Sequence, residues 1–513
     1  MKKSVRKNLL IAILILQNFF YLFITLINFN SLRGTDYEKY GNYLEYFIKN
    51  RADQIGLDSG VSYYWFVSLF FDLLKSPLRY SNESLEYILT ASIQTANFLL
   101  FLIGLYGVFF LLKKMSIYSS EEIYLLLIIL STFPPLLGAR IILKPEIMVF
   151  SLFPWLILLY YEYFENKELI FLILSIPIVA TLMVLKLSIS FMLVISIITI
   201  FNKQLFNLHF LSYNLISLAV FGYLIYENYQ INGLHIWEHI SLPNYDGTAS
   251  IDYLYNINFN ELWSKPYRDS FNDSMISILL ADTFGDYWQR YWFHYDGWGL
   301  KINGNTVSEN YPGNITIIRV SICFSFIFYL TTLFHLTREK VQFLFNIGIL
   351  GYLGILALII NAFNLIGYNF FSVSKGDPMK THLFSFLLVF TFLYFLIKIK
   401  IHQNIKIFIL MLLIQNLFLL VMMNPISIGE IFNTPHLLTR IYYFGPCQLT
   451  LFIDNIFSSS FSECSGNFLL ESNYHYFSHQ INQIFANNFI LILSFVNIIY
   501  YSFRQKISRE VKS

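Results

Sequence analysis

The chain has 513 residues, of which 56% are hydrophobic, 19% aromatic and only 13% charged, with a mean hydropathy of +0.55. A soluble domain of this length has no use for so much apolar surface, whereas a polytopic membrane protein does. The formal net charge of +2 excludes the basic field that a nucleic-acid partner would need.

The first residues, Met1-Lys2-Lys3-Ser4-Val5-Arg6-Lys7, have the basic character of a signal peptide. The apolar stretch that follows, Leu9–Asn28, is too long for a signal core and leads to no small-residue cleavage site, so it reads as a retained signal anchor. Further apolar runs of spanning length follow at Ile88–Leu112, Ile123–Leu137, Ile147–Tyr161, Leu169–Leu185, Leu187–Ile200 and Leu208–Tyr226. The last five are Ile315–Leu336, Val341–Ile360, Leu383–Ile399, Ile405–Met423 and Phe489–Phe503. The fold class expected is therefore all-α and polytopic, with about 12 transmembrane helices.

Loop charges orient these spans. Lys2, Lys3, Arg6 and Lys7 precede the first span, Lys113 and Lys114 follow the second, Lys167 the fourth and Lys203 the sixth. Arg338 and Lys340 follow the eighth, Lys398, Lys400 and Lys406 the tenth, and Arg504, Lys506, Arg509 and Lys512 the last. All fall on one side, which predicts cytoplasmic N- and C-termini and a multi-pass protein of the cytoplasmic membrane. The long polar loops, 31–87, 227–314, 361–382 and 424–488, then share the opposite face. The sequential division is an N-terminal transmembrane module (1–226), a large extracytoplasmic loop (227–314) and a second helical stretch (315–423). A further loop (424–488) and a last helix with its tail (489–513) complete it. Of the three cysteines, Cys447 and Cys464 share one outer loop, where an oxidising compartment would allow them to pair.

Five outer-face stretches carry candidate chemistry. The first is Arg33-Gly34-Thr35-Asp36-Tyr37, where a carboxylate emerges at the membrane surface just past the first span. Asp36 suits a general base, although an N-cap of the helix that follows also accounts for it. That helix, with Tyr43, Tyr46, Tyr63, Tyr64 and Trp65, reads as an amphipathic element lying in the interface. The second is Pro134-Pro135-Leu136-Leu137-Gly138-Ala139-Arg140 followed by Lys144-Pro145-Glu146. Arg140 and Lys144, four apart, would share a face in a helical turn and suit a phosphate; snorkelling charges paired with Glu146 are the alternative. The third is Lys186, alone between two apolar runs, which either snorkels or completes the anion site. The fourth is Ala281-Asp282-Thr283-Phe284-Gly285-Asp286-Tyr287-Trp288, in which acids alternate with rings as in sugar sites. The fifth is Lys375-Gly376-Asp377-Pro378-Met379-Lys380-Thr381-His382, where cations meet the start of a helix that itself favours anions. A turn with a helix cap is its plainer reading. Arg140, Lys144, Lys186 and Lys380 all fall at the same outer membrane edge, the depth of a lipid phosphate. No phosphate-cradling GxxxxGK[ST], HExxH, CxxC or GxSxG pattern competes.

In this order and on this common side, the stretches resemble the GT-C superfamily, polytopic glycosyltransferases that use polyprenyl-phosphate-linked sugars. The resemblance rests on the architecture and on Asp36, on Arg140 with Lys144-Pro145-Glu146, on Gly285-Asp286-Tyr287-Trp288, and on Gly376-Asp377-Pro378-Met379-Lys380. It implies an inverting transfer to an acceptor hydroxyl on a glycan, lipid or protein at the outer face of the membrane, with Asp36 as general base. Arg140, Lys144, Lys186, Lys380 and His382 would hold the donor phosphate, and Glu146, Asp282, Asp286, Tyr287, Trp288 and Asp377 would contact substrate. The chain departs from the pattern in having no paired acids in its first loop, where Tyr37 follows Asp36, so a divalent metal is left open. Two other classes compete: a polymerase or O-antigen-ligase type of polysaccharide enzyme, and a flippase or transporter of lipid-linked sugars.

Overall fold

A computed structural model describes residues 3–27, 44, 60–80, 85–115, 118–185, 208–232, 256–257, 259–264, 274–284, 301–302, 305–306, 312–335, 389, 392–393, 396 and 485–510. The helices are α1 (Lys3–Ile27), α2 (Val61–Tyr80), α3 (Leu85–Lys114), α4 (Ser120–Leu130), α5 (Pro134–Ile141), α6 (Glu146–Asn166), α7 (Leu169–Leu185) and α8 (Leu208–Asn232). They continue with α9 (Phe259–Ser264), α10 (Met275–Asp282), α11 (Pro312–His335) and α12 (Phe485–Glu510). The sole strands among the described residues are β1 (Lys301–Ile302) and β2 (Asn305–Thr306), a minimal antiparallel pair.

Five of these helices are long and apolar enough to cross a membrane, or six if the bent pair α4–α5 counts as one span. The twelve expected spans are therefore matched only in part. Three of the remainder, Leu187–Ile200, Val341–Ile360 and Ile405–Met423, lie outside the described residues. The anticipated third span is broken rather than straight. Pro134 and Pro135 take the first positions of α5, where a missing N–H costs nothing, and the chain turns by 65° between α4 and α5. Thr132 and Phe133 close the gap by donating their N–H groups to Ile129 and Leu130 carbonyls.

The chain forms two compact units, each drawn from three stretches. The first comprises Met1–Glu38, Tyr124–Leu143 and Leu242–Leu470. Its core includes an aromatic cluster in which Phe284 packs within 5.7 Å of Phe133, Phe328 and Phe392, centroid to centroid. The second comprises Lys39–Ile123, Lys144–Ser241 and Glu471–Ser513. At its centre α6 is apolar on every side and almost wholly buried, the signature of an interior helix. It packs against α3, where Gly104 and Gly107 admit the Phe150 ring and the Trp155 indole, and Trp155 Nε1 donates to the Ile103 carbonyl at 3.1 Å. The outward faces of α8 and α12 carry bare Leu215, Ile216, Phe489, Ile492, Val496 and Ile499, a surface suited to lipid rather than water.

The helix ends of this second unit fall into two groups. One end collects the last turns of α3 and α6 and the last turns of α12. There the Glu162 carboxylate, 2% exposed, accepts from Lys114 Nζ at 3.0 Å, Asn166 Nδ2 at 2.7 Å and Tyr501 OH at 2.9 Å. Lys114 also pairs with Glu165 at 2.7 Å, and Arg504 pairs with Glu168 at 2.5 Å. Two of the cations that orient the spans by charge are therefore held by acids at the same end.

Candidate functional site

The opposite end of the second unit gathers the start of α2, the start of α6, the end of α7, the end of α8 and the start of α12. Gly60, with φ +67, leads into α2 and accepts the Tyr63 N–H at 2.7 Å. A Cβ there would stand 2.8 Å from Pro145 Cβ and 3.1 Å from the Leu185 carbonyl oxygen. Glycine is what lets this turn nest against the Lys144-Pro145-Glu146 corner and the end of α7. Gly60→Ala is expected to destabilise the fold by about 1–3 kcal/mol, through both the left-handed φ and the clash. A thermal unfolding midpoint equal to that of the unaltered protein would contradict this.

The Tyr63 hydroxyl donates to Asn97 Oδ1 at 2.9 Å and accepts the Lys144 main-chain N–H. Burial holds this phenol protonated far above its ordinary range, and the nearby Glu146 carboxylate pushes in the same direction. Lys144 and Glu146 are themselves 2% and 3% exposed. Glu146 opens α6, where the helix dipole favours an anion. Close by, the Glu227 carboxylate near the end of α8 closes the start of α12. It accepts from the Ala486 N–H at 2.6 Å, the Asn487 N–H at 2.8 Å and Asn487 Nδ2 at 2.7 Å. These satisfy donors that a helix start otherwise leaves bare. Ser62 Oγ of α2 reaches the Asn487 carbonyl at 3.5 Å.

No protein-family model, curated protein or solved structure matches the chain. The site stands on its geometry alone.

The first unit holds Arg140. Its Nη1 donates to Asn18 Oδ1 at 3.0 Å, its Nη2 donates to the Asn18 carbonyl at 2.6 Å, and its guanidinium lies 5.4 Å from the Tyr21 ring centre. Gln17 Nε2 adds a bond to Ser131 Oγ at 2.9 Å, so α1 is tied to the α4–α5 elbow by two polar side chains. The shared helical face expected for Arg140 and Lys144 does not form. Helix α5 ends at Ile141, Ile142 is extended, and Lys144 precedes a new helix, because Pro145 has no N–H with which to continue the old one.

The remaining expected residues divide into two groups. Asp282 is the last residue of α10. Its neighbours serve packing rather than a sugar face. Thr283 Oγ1 bonds the Leu279 carbonyl and the Tyr329 hydroxyl, and Phe284 is fully buried in the aromatic cluster. Asp36, Lys186, Asp286, Tyr287, Trp288, Asp377, Lys380 and His382 lie outside the described residues, as do Cys447 and Cys464. Among the described residues no group of three His, Cys, Asp or Glu is placed to hold a metal ion.

Tyr63, Tyr64 and Trp65 were expected at headgroup level on an interfacial helix. They are instead 0%, 0% and 5% exposed, packed inside the unit. Sequence reading passed over Asn97, Glu227 and the Asn487-Asn488 pair. The last two carried a signal: a carboxylate directly after a span and a polar pair directly before one, both at the outer ends that charge counting assigns.

Proposed function

We propose that the chain is a membrane glycosyltransferase of GT-C type, moving a sugar from a polyprenyl-phosphate donor to an acceptor hydroxyl at the outer face of the cytoplasmic membrane. The observation that carries this reading is the burial of Lys144 and Glu146 together at one end of an apolar helical unit. Charges in such surroundings are costly, and where they persist they serve binding or catalysis far more often than chance. A corner built from a rigid proline and backed by Tyr63 and Asn97 gives Lys144 a defined position, as phosphate recognition requires.

In this reading the acceptor oxygen forms a bond to the anomeric carbon and passes its proton to Asp36. The bond from that carbon to the phosphate oxygen breaks, its electron pair leaves on the phosphate, and the anomeric configuration inverts. Lys144, Lys186, Lys380 and His382 stabilise the charge that develops on the leaving phosphate. Arg140, whose terminal nitrogens are engaged by Asn18, is assigned to holding α1 instead.

Binding of decaprenyl phosphate to the full chain in lipid nanodiscs tests the donor site. Lys144→Met is expected to weaken binding about tenfold to a hundredfold, the worth of one charge-assisted hydrogen bond. Unaltered affinity in that variant removes Lys144 from the site. Asp36→Asn should abolish transfer while leaving lipid binding intact, and full activity in that variant overturns the base assignment.

A further inference from the structure

Asn488, in the first turn of α12, is 2% exposed, and neither its Nδ2 nor its Oδ1 has a hydrogen-bond partner among the described residues. A carboxamide in such a position forgoes bonds on both sides. The backbone beneath it is rigidly held, since Glu227 takes the N–H groups of the two preceding residues. Phe495, seven residues on and so on the same helix face, lies 5.7 Å from the Phe66 ring of α2. Ser62, one turn earlier in α2, meets the Asn487 carbonyl. Asn488 therefore belongs to the α2-facing stripe of α12, at the end of the unit that buries Lys144 and Glu146.

We infer that Asn488 is the ligand-binding group of a hydroxyl-recognising subsite and that its occupant is a vicinal diol of a pyranose. The argument is one of matching donors with acceptors. An ionised phosphate only accepts, so it would satisfy Nδ2 and leave Oδ1 bare. Two carboxylates at this end, Glu227 and Glu146, also oppose a second anion. A diol both donates and accepts at a fixed spacing, and a single pair of adjacent hydroxyls satisfies both atoms of the amide. The inference rests on the transferase reading and extends it from the lipid phosphate to the sugar that it carries.

The test uses the full chain in nanodiscs and equilibrium dialysis of octyl glycosides of glucose, galactose and mannose below their micelle concentrations. Octyl tetraoxyethylene, with the same tail and no diol, corrects for partition into lipid. At least one glycoside is expected to bind the unaltered protein about tenfold more tightly than the diol-free analogue. Asn488→Leu, which deletes the unpaired amide and keeps its volume, should remove that preference without lowering the unfolding midpoint. Equal binding of all four probes to the unaltered protein overturns the inference, with no variant needed. So does a preference that survives Asn488→Leu, the outcome expected if a buried water alone serves the amide. Decaprenyl phosphate in a parallel arm separates the two readings: if it fails to bind while a glycoside retains its Asn488-dependent preference, the phosphate-linked donor is wrong and the subsite stands.

Discussion

Glu162→Leu is expected to lower the stability of the second unit by about 3 kcal/mol, within the range for removing one partner of a buried ion pair. The carboxylate is almost fully buried and accepts from Lys114, Asn166 and Tyr501, which belong to α3, α6 and α12. Its removal leaves a phenol and an amide without their acceptor and Lys114 with Glu165 as its remaining carboxylate. Lys114→Met in the same chain should cost less than it does in the unaltered protein, because its pairing with Glu162 is already gone. Thermal unfolding of purified protein followed by tryptophan fluorescence reads both effects. An unchanged midpoint in the single variant would show that the cluster is a solvated surface feature.

Gly104→Leu should be more damaging still, and Gly104→Ala already costs about 1–3 kcal/mol as overpacking. A Cβ at this position would lie 2.4 Å from Phe150 Cε1 and 2.8 Å from the Phe150 carbonyl oxygen. In an unconstrained helix alanine is better than glycine by about 1 kcal/mol, so the clash must overcome a local gain. It does so because the ring is buried against Phe101 and the carbonyl belongs to the backbone of α6. Phe150→Ala should remove the ring clash but not the carbonyl contact, so that Gly104→Ala in that background costs less than in the unaltered protein. A Gly104→Ala protein with a raised midpoint would mean that α3 and α6 stand farther apart than 2.4 Å implies.

Helices were legible in the sequence wherever length and apolarity sufficed. Spans expected at Leu9–Asn28, Ile88–Leu112, Ile147–Tyr161, Leu208–Tyr226 and Phe489–Phe503 correspond to α1, α3, α6, α8 and α12, each extended by a few residues. Pro134-Pro135 announced a break, though not its 65° angle, which depends on where α5 finds packing. The corner at Lys144-Pro145-Glu146 was legible as unusual because three such residues rarely interrupt apolar sequence. Its surroundings were not. Asn97 and Glu227 resemble dozens of other polar residues until tertiary packing brings them beside Tyr63 and Asn487. Tyr63, Tyr64 and Trp65 misled because aromatic residues near a membrane end fit a headgroup belt and a packed core equally well. Arg140 was legible as a cation at a membrane edge, but nothing local reveals that Asn18, 122 positions away, accepts from its Nη1 and Nη2.

Helix α12 has partners throughout the second unit. It bonds α2 through Ser62, α6 through Glu162, α7 through Thr181 and the Leu174 carbonyl, and α8 through Glu227. Synthesis runs from the other terminus, so all four of those elements are made and inserted before the groups that complete them exist. Until α12 arrives, Glu162 lacks its phenol, Glu227 has no helix start to close, and an apolar groove along α7 and α8 stays open to lipid. Assembly of this unit therefore waits for α12, without which Glu162 keeps only part of its hydrogen bonding and Glu227 faces no helix start.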